Sequence, residues 1–333
     1  MKVSGLKSEV RGSAITGVGA YRPRRVVPNS DIIDRIHSSD DWIRTRSGIT
    51  TRRFAEPDET IQMMSVSAAR DAIADAGVEA SDIDCVIVAT VSHLKQTPAA
   101  ATTISNELGC GSAAAFDVSA ACAGFCYALS LASDMVRIGT TEHVLVIGVE
   151  RLSDITNPDD RSTAFIFADG AGAAVVGPSD EPRIGPVVWG ADGSKHDLIT
   201  QTKAWDDVFA EGAKEWPTLH MDGRPVFRWA SFEMARTARE ALDRAGVDPA
   251  DLDVFVPHQA NMRITDAMVR TLKFSDKVAV ARDIAEQGNT SAASIPLALQ
   301  RMIADGEAKS GQTALFIAFG AGLAYAAQVV VIP

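Results

Sequence analysis

A sixteen-residue passage occurs twice in this chain. "ARDAIADAGVEASDID" (69–84) aligns without a gap on "AREALDRAGVDPADLD" (238–253), an offset of 169 residues. Ala69, Arg70, Ala72, Ala76, Gly77, Val78, Asp82 and Asp84 recur unchanged, and Asp71/Glu240, Ile73/Leu242, Glu79/Asp248 and Ile83/Leu252 keep their character. Each copy reads as a helix stopped by Gly, which takes the left-handed conformation of a helix end without steric cost. An acidic turn follows, then an apolar strand, "CVIVATV" (85–91) or "VFVP" (254–257). The copies continue in step. The first reaches a strand "AAAFDVS" and a helix from about Ala121; the second reaches "KVAVAR" and a helix from about Ser291. "HVLVIGV" and "AGAAVVG" follow in the first half, "TALFIAF" and "YAAQVVVI" in the second. Strands alternating with helices predict parallel sheet covered by helices. Two such halves predict a duplicated α/β fold with a pseudo-twofold axis, and a site where the strand ends of both halves converge. The expected boundaries are 1–178 and 179–333, with 180–220, broken by Pro, Gly, Trp and Asp, as a loop region.

Composition narrows the partners. A net charge of -11, without a Lys/Arg run or basic-aromatic interleaving, speaks against nucleic acid. The cysteines are Cys85, Cys110, Cys122 and Cys126, and none makes a C-x-x-C pair, so zinc and thioredoxin-like readings are weak. Four cysteines in a chain of 333 residues, and no apolar run in "MKVSGLKSEVRGSA", fit a reducing cytoplasm. Thr313–Pro333 carries no charge and is long enough to span a membrane. Gly320 and Gly322 interrupt it between β-forming flanks, so it reads as two buried strands joined by a turn, and no membrane partner is expected.

Three stretches carry candidate chemistry. In "DVSAACAGFCYAL" (117–129), Cys122 stands at a strand-to-helix turn among Ala and Gly. A helix start offers free N–H groups that stabilise a thiolate, and small neighbours let a ligand approach. A buried cysteine acting as a small hydrophobe is equally open on these residues alone, and Cys126 fits that description better. In "VPHQANMRI" (256–264), His258 follows a strand directly, placed to donate or accept near neutral pH. A lone His is more often structural, but the repeat sends this strand end toward Cys122. In "EQGNTSAASIPLAL" (286–299), Asn289 is either a helix cap or an amide donor near the thiol. "FADGAGAAVVG" (167–177), "FGAGLAY" (319–325) and "GVGAYRP" (17–23) lack the full dinucleotide-binding spacing, so a nicotinamide cofactor is weakly supported. Their Gly turns can instead offer N–H groups to an oxyanion.

Together "DVSAACAGF", "VPHQANMRI", "GNTSAAS", "DGAGA" and "DDWIRTRSGI" (40–49), in this order, resemble β-ketoacyl-acyl-carrier-protein synthase III over nearly the whole chain. The resemblance implies the thiolase fold, five layers α-β-α-β-α, in agreement with the repeat. It implies a Cys122–His258–Asn289 enzyme without a cofactor or metal. Acyl-CoA would acylate Cys122, and malonyl-acyl-carrier protein would lose carbon dioxide to a carbanion that attacks the acyl group. His258 and Asn289 would donate to the thioester oxygen, and the N–H groups of Cys122 and Ala321 would form the oxyanion hole.

The resemblance also implies CoA contacts at Trp42, Arg46 and Arg161, with the adenine between Trp42 and Arg161. It places the carrier protein on Gln259, Ala260, Asn261, Met262 and Arg263, to which Arg270 and Lys273 would add basic surface. A homodimer is expected, with Thr97 reaching the acyl pocket across its interface. Thr where some members have Phe predicts room for branched or longer starters. Ala168 stands where the family commonly has Gly, and is expected only to tighten a turn. A starter-unit condensing enzyme or an acyltransferase of a polyketide or other secondary-metabolite pathway shares the same motifs. A thiol hydrolase and a catalytically silent scaffold are weaker alternatives, since all three catalytic positions are filled.

Overall fold

The computed structural model describes residues 10–333. Residues 1–9, part of the stretch read as lacking an apolar leader, lie outside the described residues. Two five-stranded sheets dominate. The first contains β1 (Gly12–Tyr21), β2 (Ile83–Ala89), β3 (Ala114–Val118), β4 (His143–Arg151) and β5 (Asp169–Ser179), in the order β1-β5-β4-β2-β3. The second contains β6 (Val188–Gly190), β7 (Val254–Pro257), β8 (Ala279–Val280), β9 (Thr313–Phe319) and β10 (Tyr325–Val331), in the order β6-β10-β9-β7-β8. In each, three neighbouring strands pair in parallel, and two further strands are added on one side by antiparallel pairing. The sheets are topological copies, as the repeat requires.

Helices fill the layers around them: α1 (Asp40–Ser47), α2 (Ile61–Ala76), α3 (Ala100–Leu108), α4 (Gly124–Arg137), α5 (Gly223–Ala245), α6 (Met262–Leu272) and α7 (Ser294–Ala304). The repeated passages end α2 and α5, stopped by Gly77 at φ 67° and Gly246 at φ 68°. Strand alternation then sorts the side chains. Val144 and Val146 of β4, and Phe316 and Ala318 of β9, face a common interior with Leu129 of α4 and Leu299 of α7. Leu145 and Ile147 face outward onto α2 and α3, and Leu315 and Ile317 onto α5 and α6. The stack is therefore α-β-α-β-α with α4 and α7 in the middle. Strands buried on both faces explain the uninterrupted apolar runs.

The charge-free tail forms β9 and β10 around a short turn at Ala321–Leu323, and no helix among the described residues is long and apolar enough to cross a membrane. The stretch 180–220 is more ordered than a loop region. It supplies β6, an edge of the second sheet, and a hairpin of Ile199–Gln201 with Leu219–Met221 around a short helix Trp205–Ala210. These strands are only three residues long, too short for a clear period-2 pattern.

Candidate active site

The two helices of the central layer start at matching elbows. Single 3-10 turns, Ala121–Ala123 and Ser291–Ala293, lead into α4 and α7. Ala121 at φ 46° and Ser291 at φ 48° both adopt the left-handed conformation that side chains disfavour. Small residues let the elbows meet. A Cβ on Gly124 would stand 3.7 Å from the Ala292 Cβ, and a Cβ on Gly148 of β4 would collide with the Ala292 carbonyl. Cys122 occupies the first elbow; Ala292 is its counterpart in the second.

A cavity of about 930 Å³ opens over the first elbow, lined among others by Cys122, His258, Asn289 and Phe319. The Cys122 side chain is partly exposed to it, while Cys85, Cys110 and Cys126 are buried free thiols. Burial by the surrounding protein pushes the Cys122 thiol up to about 12, opposed by Ser291 and its own backbone N–H and reinforced by the negative charge of Glu150. The helix start was expected to favour a thiolate at Cys122, but desolvation outweighs one turn of amides and favours the thiol. Gly320 presses on Cys122, for a Cβ there would lie 2.6 Å from the Cys122 nitrogen. This close approach brings the Ala321 backbone beside the elbow.

His258 is buried at the end of β7, its N–H bonded to the Ile317 carbonyl at 2.7 Å. Its Nδ1 lies 2.7 Å from Ser294 Oγ, which also accepts from the Gln259 N–H at 3.3 Å. With that acceptance made, we assign the Ser294 hydroxyl as donor to Nδ1, which leaves Nε2–H to face the cavity. Burial pushes the imidazole down to about 3, so it is neutral. Asn289 accepts the Ser291 N–H on its Oδ1 at 2.8 Å, leaving its NH₂ group as a donor. Its backbone is clamped by Ile166 and Ala168: Asn289 N–H to Ile166 O at 2.9 Å, Ala168 N–H to Asn289 O at 2.8 Å. Ala168 therefore does more than tighten a turn. Its methyl packs on Gly288, where a Cβ would stand 2.8 Å away. Ser294 was not singled out in the sequence, and Ser291 was read only as a helix start, although both belong to "GNTSAAS".

Trp42, Arg46 and Arg161 line the cavity. The Arg161 guanidinium lies 4.8 Å and that of Arg46 5.8 Å from the Trp42 ring centre, with Phe165 edge-on at 5.2 Å. An adenine between Trp42 and Arg161 requires Arg161 to lift away. Ala260, Asn261 and Arg263 also line the cavity, and Arg263 lies 5.1 Å over Phe227. Asn261 caps α6 through the Arg263 N–H and donates to the Arg46 carbonyl at 3.0 Å. Met262 packs on Gly48. Gln259 corrects the expectation of a carrier-contacting residue. It is buried, donates to the Pro257 carbonyl at 2.7 Å and accepts the Ile284 N–H at 3.1 Å, so it is a brace. Thr97 is exposed and does not line the cavity within one chain. Arg224 and Phe227 at the rim carried no sequence signal.

A duplicated five-layer fold, with thiol, imidazole and amide brought to one cavity between its halves, defines a condensing enzyme of the thiolase fold. Residues 116–193 match the family model for 3-oxoacyl-[acyl-carrier-protein (ACP)] synthase III, and residues 242–332 match its C-terminal model. The chain is 60% identical over 319 residues to the beta-ketoacyl-[acyl-carrier-protein] synthase III of Streptomyces glaucescens, covering 96% of each. It is 51% identical, over 96% of its length and 95% of the relative's, to the mycobacterial beta-ketoacyl-[acyl-carrier-protein] synthase III of Mycobacterium avium (strain 104). Among solved structures it superimposes on the priming beta-ketosynthase of the R1128 polyketide biosynthetic pathway with a TM-score of 0.97 at 49% identity, covering 99% of each chain. The Aquifex aeolicus 3-oxoacyl-[acyl-carrier-protein] synthase III gives 0.88 at 38%, covering 96% of this chain and all of that one. The chain belongs to the β-ketoacyl-acyl-carrier-protein synthase III family, the acyl-transferring condensing enzymes of fatty acid biosynthesis.

Proposed function

We propose that Cys122 is the nucleophile, and that His258 and Asn289 are the two neutral donors of the condensation step. The observation that carries this is the pinning of the two side chains: Ser294 holds His258 Nδ1 and the Ser291 N–H holds Asn289 Oδ1. Each is left with one donor group, an imidazole N–H or an amide NH₂, for the cavity that Cys122 shares. Cys122 Sγ attacks the acyl-CoA carbonyl, CoA leaves as the thiol, and the acyl group stays on sulfur. Malonyl-acyl-carrier protein then loses carbon dioxide, and its thioester oxygen takes up charge between Nε2–H of His258 and the Asn289 amide. Neutral donors suit an enolate, because they stabilise the charge as it forms without protonating it fully. The carbanion attacks the acyl carbonyl and releases β-ketoacyl-acyl-carrier protein and free Cys122. The Cys122 and Ala321 N–H groups receive the oxyanion in the acyl steps. These side chains complete the chemistry without a cofactor or metal.

In the same reading Trp42, Arg46 and Arg161 hold CoA, and Ala260–Arg263, without Gln259, meets the carrier protein. We place the division of the chain at 178/179, at the last residue of β5 and ahead of β6. The partner expected on β3 is a second copy, because β3 is an open sheet edge with Phe116 exposed, near Val91 and Leu94. Thr97 would then act in the partner's acyl pocket. Four free thiols agree with a reducing cytoplasm. The similarity to the R1128 priming beta-ketosynthase favours, as a second reading, a starter-unit role in a secondary pathway.

Mass spectrometry of the intact enzyme after incubation with mixed acyl-CoAs tests the assignment. The expected result is one acyl group on Cys122, branched or longer chains included, chased into β-ketoacyl product with release of carbon dioxide when malonyl-acyl-carrier protein is added. Strict acetyl loading defeats the roomy pocket, free acid indicates a hydrolase, and no adduct at Cys122 defeats the nucleophile.

A further inference from the structure

The steps above leave one buried acid beside the nucleophile without a task. Glu150 stands at the carboxyl end of β4 and is fully buried. Alternation fixes its direction: Val144 and Val146 face the central layer, so Gly148 and Glu150 face it too. Gly148 on that face abuts the Ala292 carbonyl, which puts the second elbow, with Ser291, next to Glu150. Cys122 stands on the adjoining first elbow.

The carboxyl is bonded unevenly. Its Oε2 accepts from Thr90 Oγ1 at 3.2 Å, Val91 N–H at 3.1 Å and Ser92 Oγ at 2.5 Å. Its Oε1 has no hydrogen-bond partner, and neither has the buried hydroxyl of Ser291. Ser291 nonetheless lies close enough to both Cys122 and Glu150 to favour their charged forms. Buried polar atoms are rarely left unpaired, and two such atoms flanking a nucleophile point to a use. Other ionisable groups near this end of β4 are engaged or turned away. Arg151 pairs with Asp154 at 3.2 Å. Asp169 of β5 accepts from the Ala55 and Ser153 N–H groups and Ser153 Oγ. His258 enters the cavity from the other sheet, held by Ser294.

We propose that Glu150 takes up the thiol proton of Cys122 during acylation, through the hydroxyl of Ser291. The inference rests on Cys122 as nucleophile. Sγ–H passes its proton to Ser291 Oγ while Ser291 passes its own to Glu150 Oε1. The thiolate forms the new bond to the acyl carbon, the bond from that carbon to the CoA sulfur breaks, and the leaving thiolate recovers the proton along the same path. The carboxyl ends as it began, and nothing else is consumed. The transfer moves a negative charge within the layer and buries no new one, and it removes the carboxylate's repulsion of the thiolate. Burial raises Glu150 to about 7, which matches a proton acceptor to neutral pH.

The full-length enzyme and its Glu150→Gln, Glu150→Asp and Ser291→Ala variants are compared for rate of Cys122 acylation by acetyl-CoA, read by intact mass, and for thiol alkylation by iodoacetamide. Acylation at pH 7 should fall about 100-fold in Glu150→Gln and in Ser291→Ala, and Glu150→Asp should recover much of it. The parent's acylation rate should rise through pH 7, and this limb should be missing in Glu150→Gln. Alkylation of Glu150→Gln at pH 7 should slow together with acylation, since both reactions need the Cys122 proton removed, while the melting temperature stays within about 3 °C of the parent's; a packing defect would lower it further. Acylation within about threefold of the parent, with the pH limb intact, overturns the relay. Should Glu150→Gln fail to fold, Ser291→Ala decides by the same criterion. A parent that carries no acyl group on Cys122 refutes the nucleophile instead, and is seen before any variant is made.

Discussion

Ser294 joins two parts of the site, accepting the Gln259 N–H and bonding His258 Nδ1. Removing its hydroxyl frees the imidazole to rotate and to change tautomer, without touching Cys122. Ser294→Ala should therefore lower the rate of condensation with malonyl-acyl-carrier protein about tenfold, equivalent to roughly 1.4 kcal/mol, one neutral hydrogen bond. Acylation of Cys122 should be spared, and single-turnover assays of the two half-reactions separate the effects. His258 also ties stability to pH. Its folded value, about 3, lies below the ordinary 6.5, so the unfolded chain binds the proton more readily. Its contribution is fully present above pH 6.5 and is lost as pH falls from there toward 3. By pH 4 the loss reaches at most roughly 3 kcal/mol. The stability of a His258→Gln variant should lack this acid limb, so its gap to the parent narrows between pH 6.5 and 4 in urea melts.

Helix α6 turns one face to the mouth of the cavity. Arg263 at its start and Arg270 seven residues on share that side, and Lys273 follows its end; all three are exposed. On an enzyme of net charge -11 this is a local reversal of sign, the condition for steering an acidic carrier protein. Arg263→Glu should raise the KM for malonyl-acyl-carrier protein about tenfold and leave acylation by acyl-CoA within about twofold, with the carrier effect shrinking as salt is added. Equal loss in both half-reactions would place Arg263 on the shared route to Cys122 instead. The elbows are the other decisive elements. Their left-handed Ala121 and Ser291 have no glycine to announce them, because the meeting of α4 with α7 imposes the conformation. Sequence therefore indicated a strand-to-helix turn at each and could not show its geometry.

At the scale of the molecule, β3 leaves a sheet edge open and Phe116 is 37% exposed on it. Phe116→Asp should convert a dimer to monomers in analytical ultracentrifugation, and should change starter preference if Thr97 serves the partner's pocket; an unchanged sedimentation value moves the interface elsewhere. The duplication, the order of strands and helices, the buried tail and the three residues that meet at the cavity, Cys122, His258 and Asn289, were all legible in the chain. They rest on period, repeat and residue type, which are local or self-similar properties that survive without coordinates. Gln259 and Glu150 were not legible. A Gln inside a functional motif and a Glu at a strand end look available to solvent, and only packing of the central layer encloses them. The same packing pushes the Cys122 thiol up and the His258 imidazole down, because desolvation depends on what surrounds a group in space. A doubled fold and the residues able to react follow from repeat and residue type alone. Which of their atoms are free and which are pinned follows from the packing of the central layer, because burial and hydrogen-bond partners come from residues far apart in the chain.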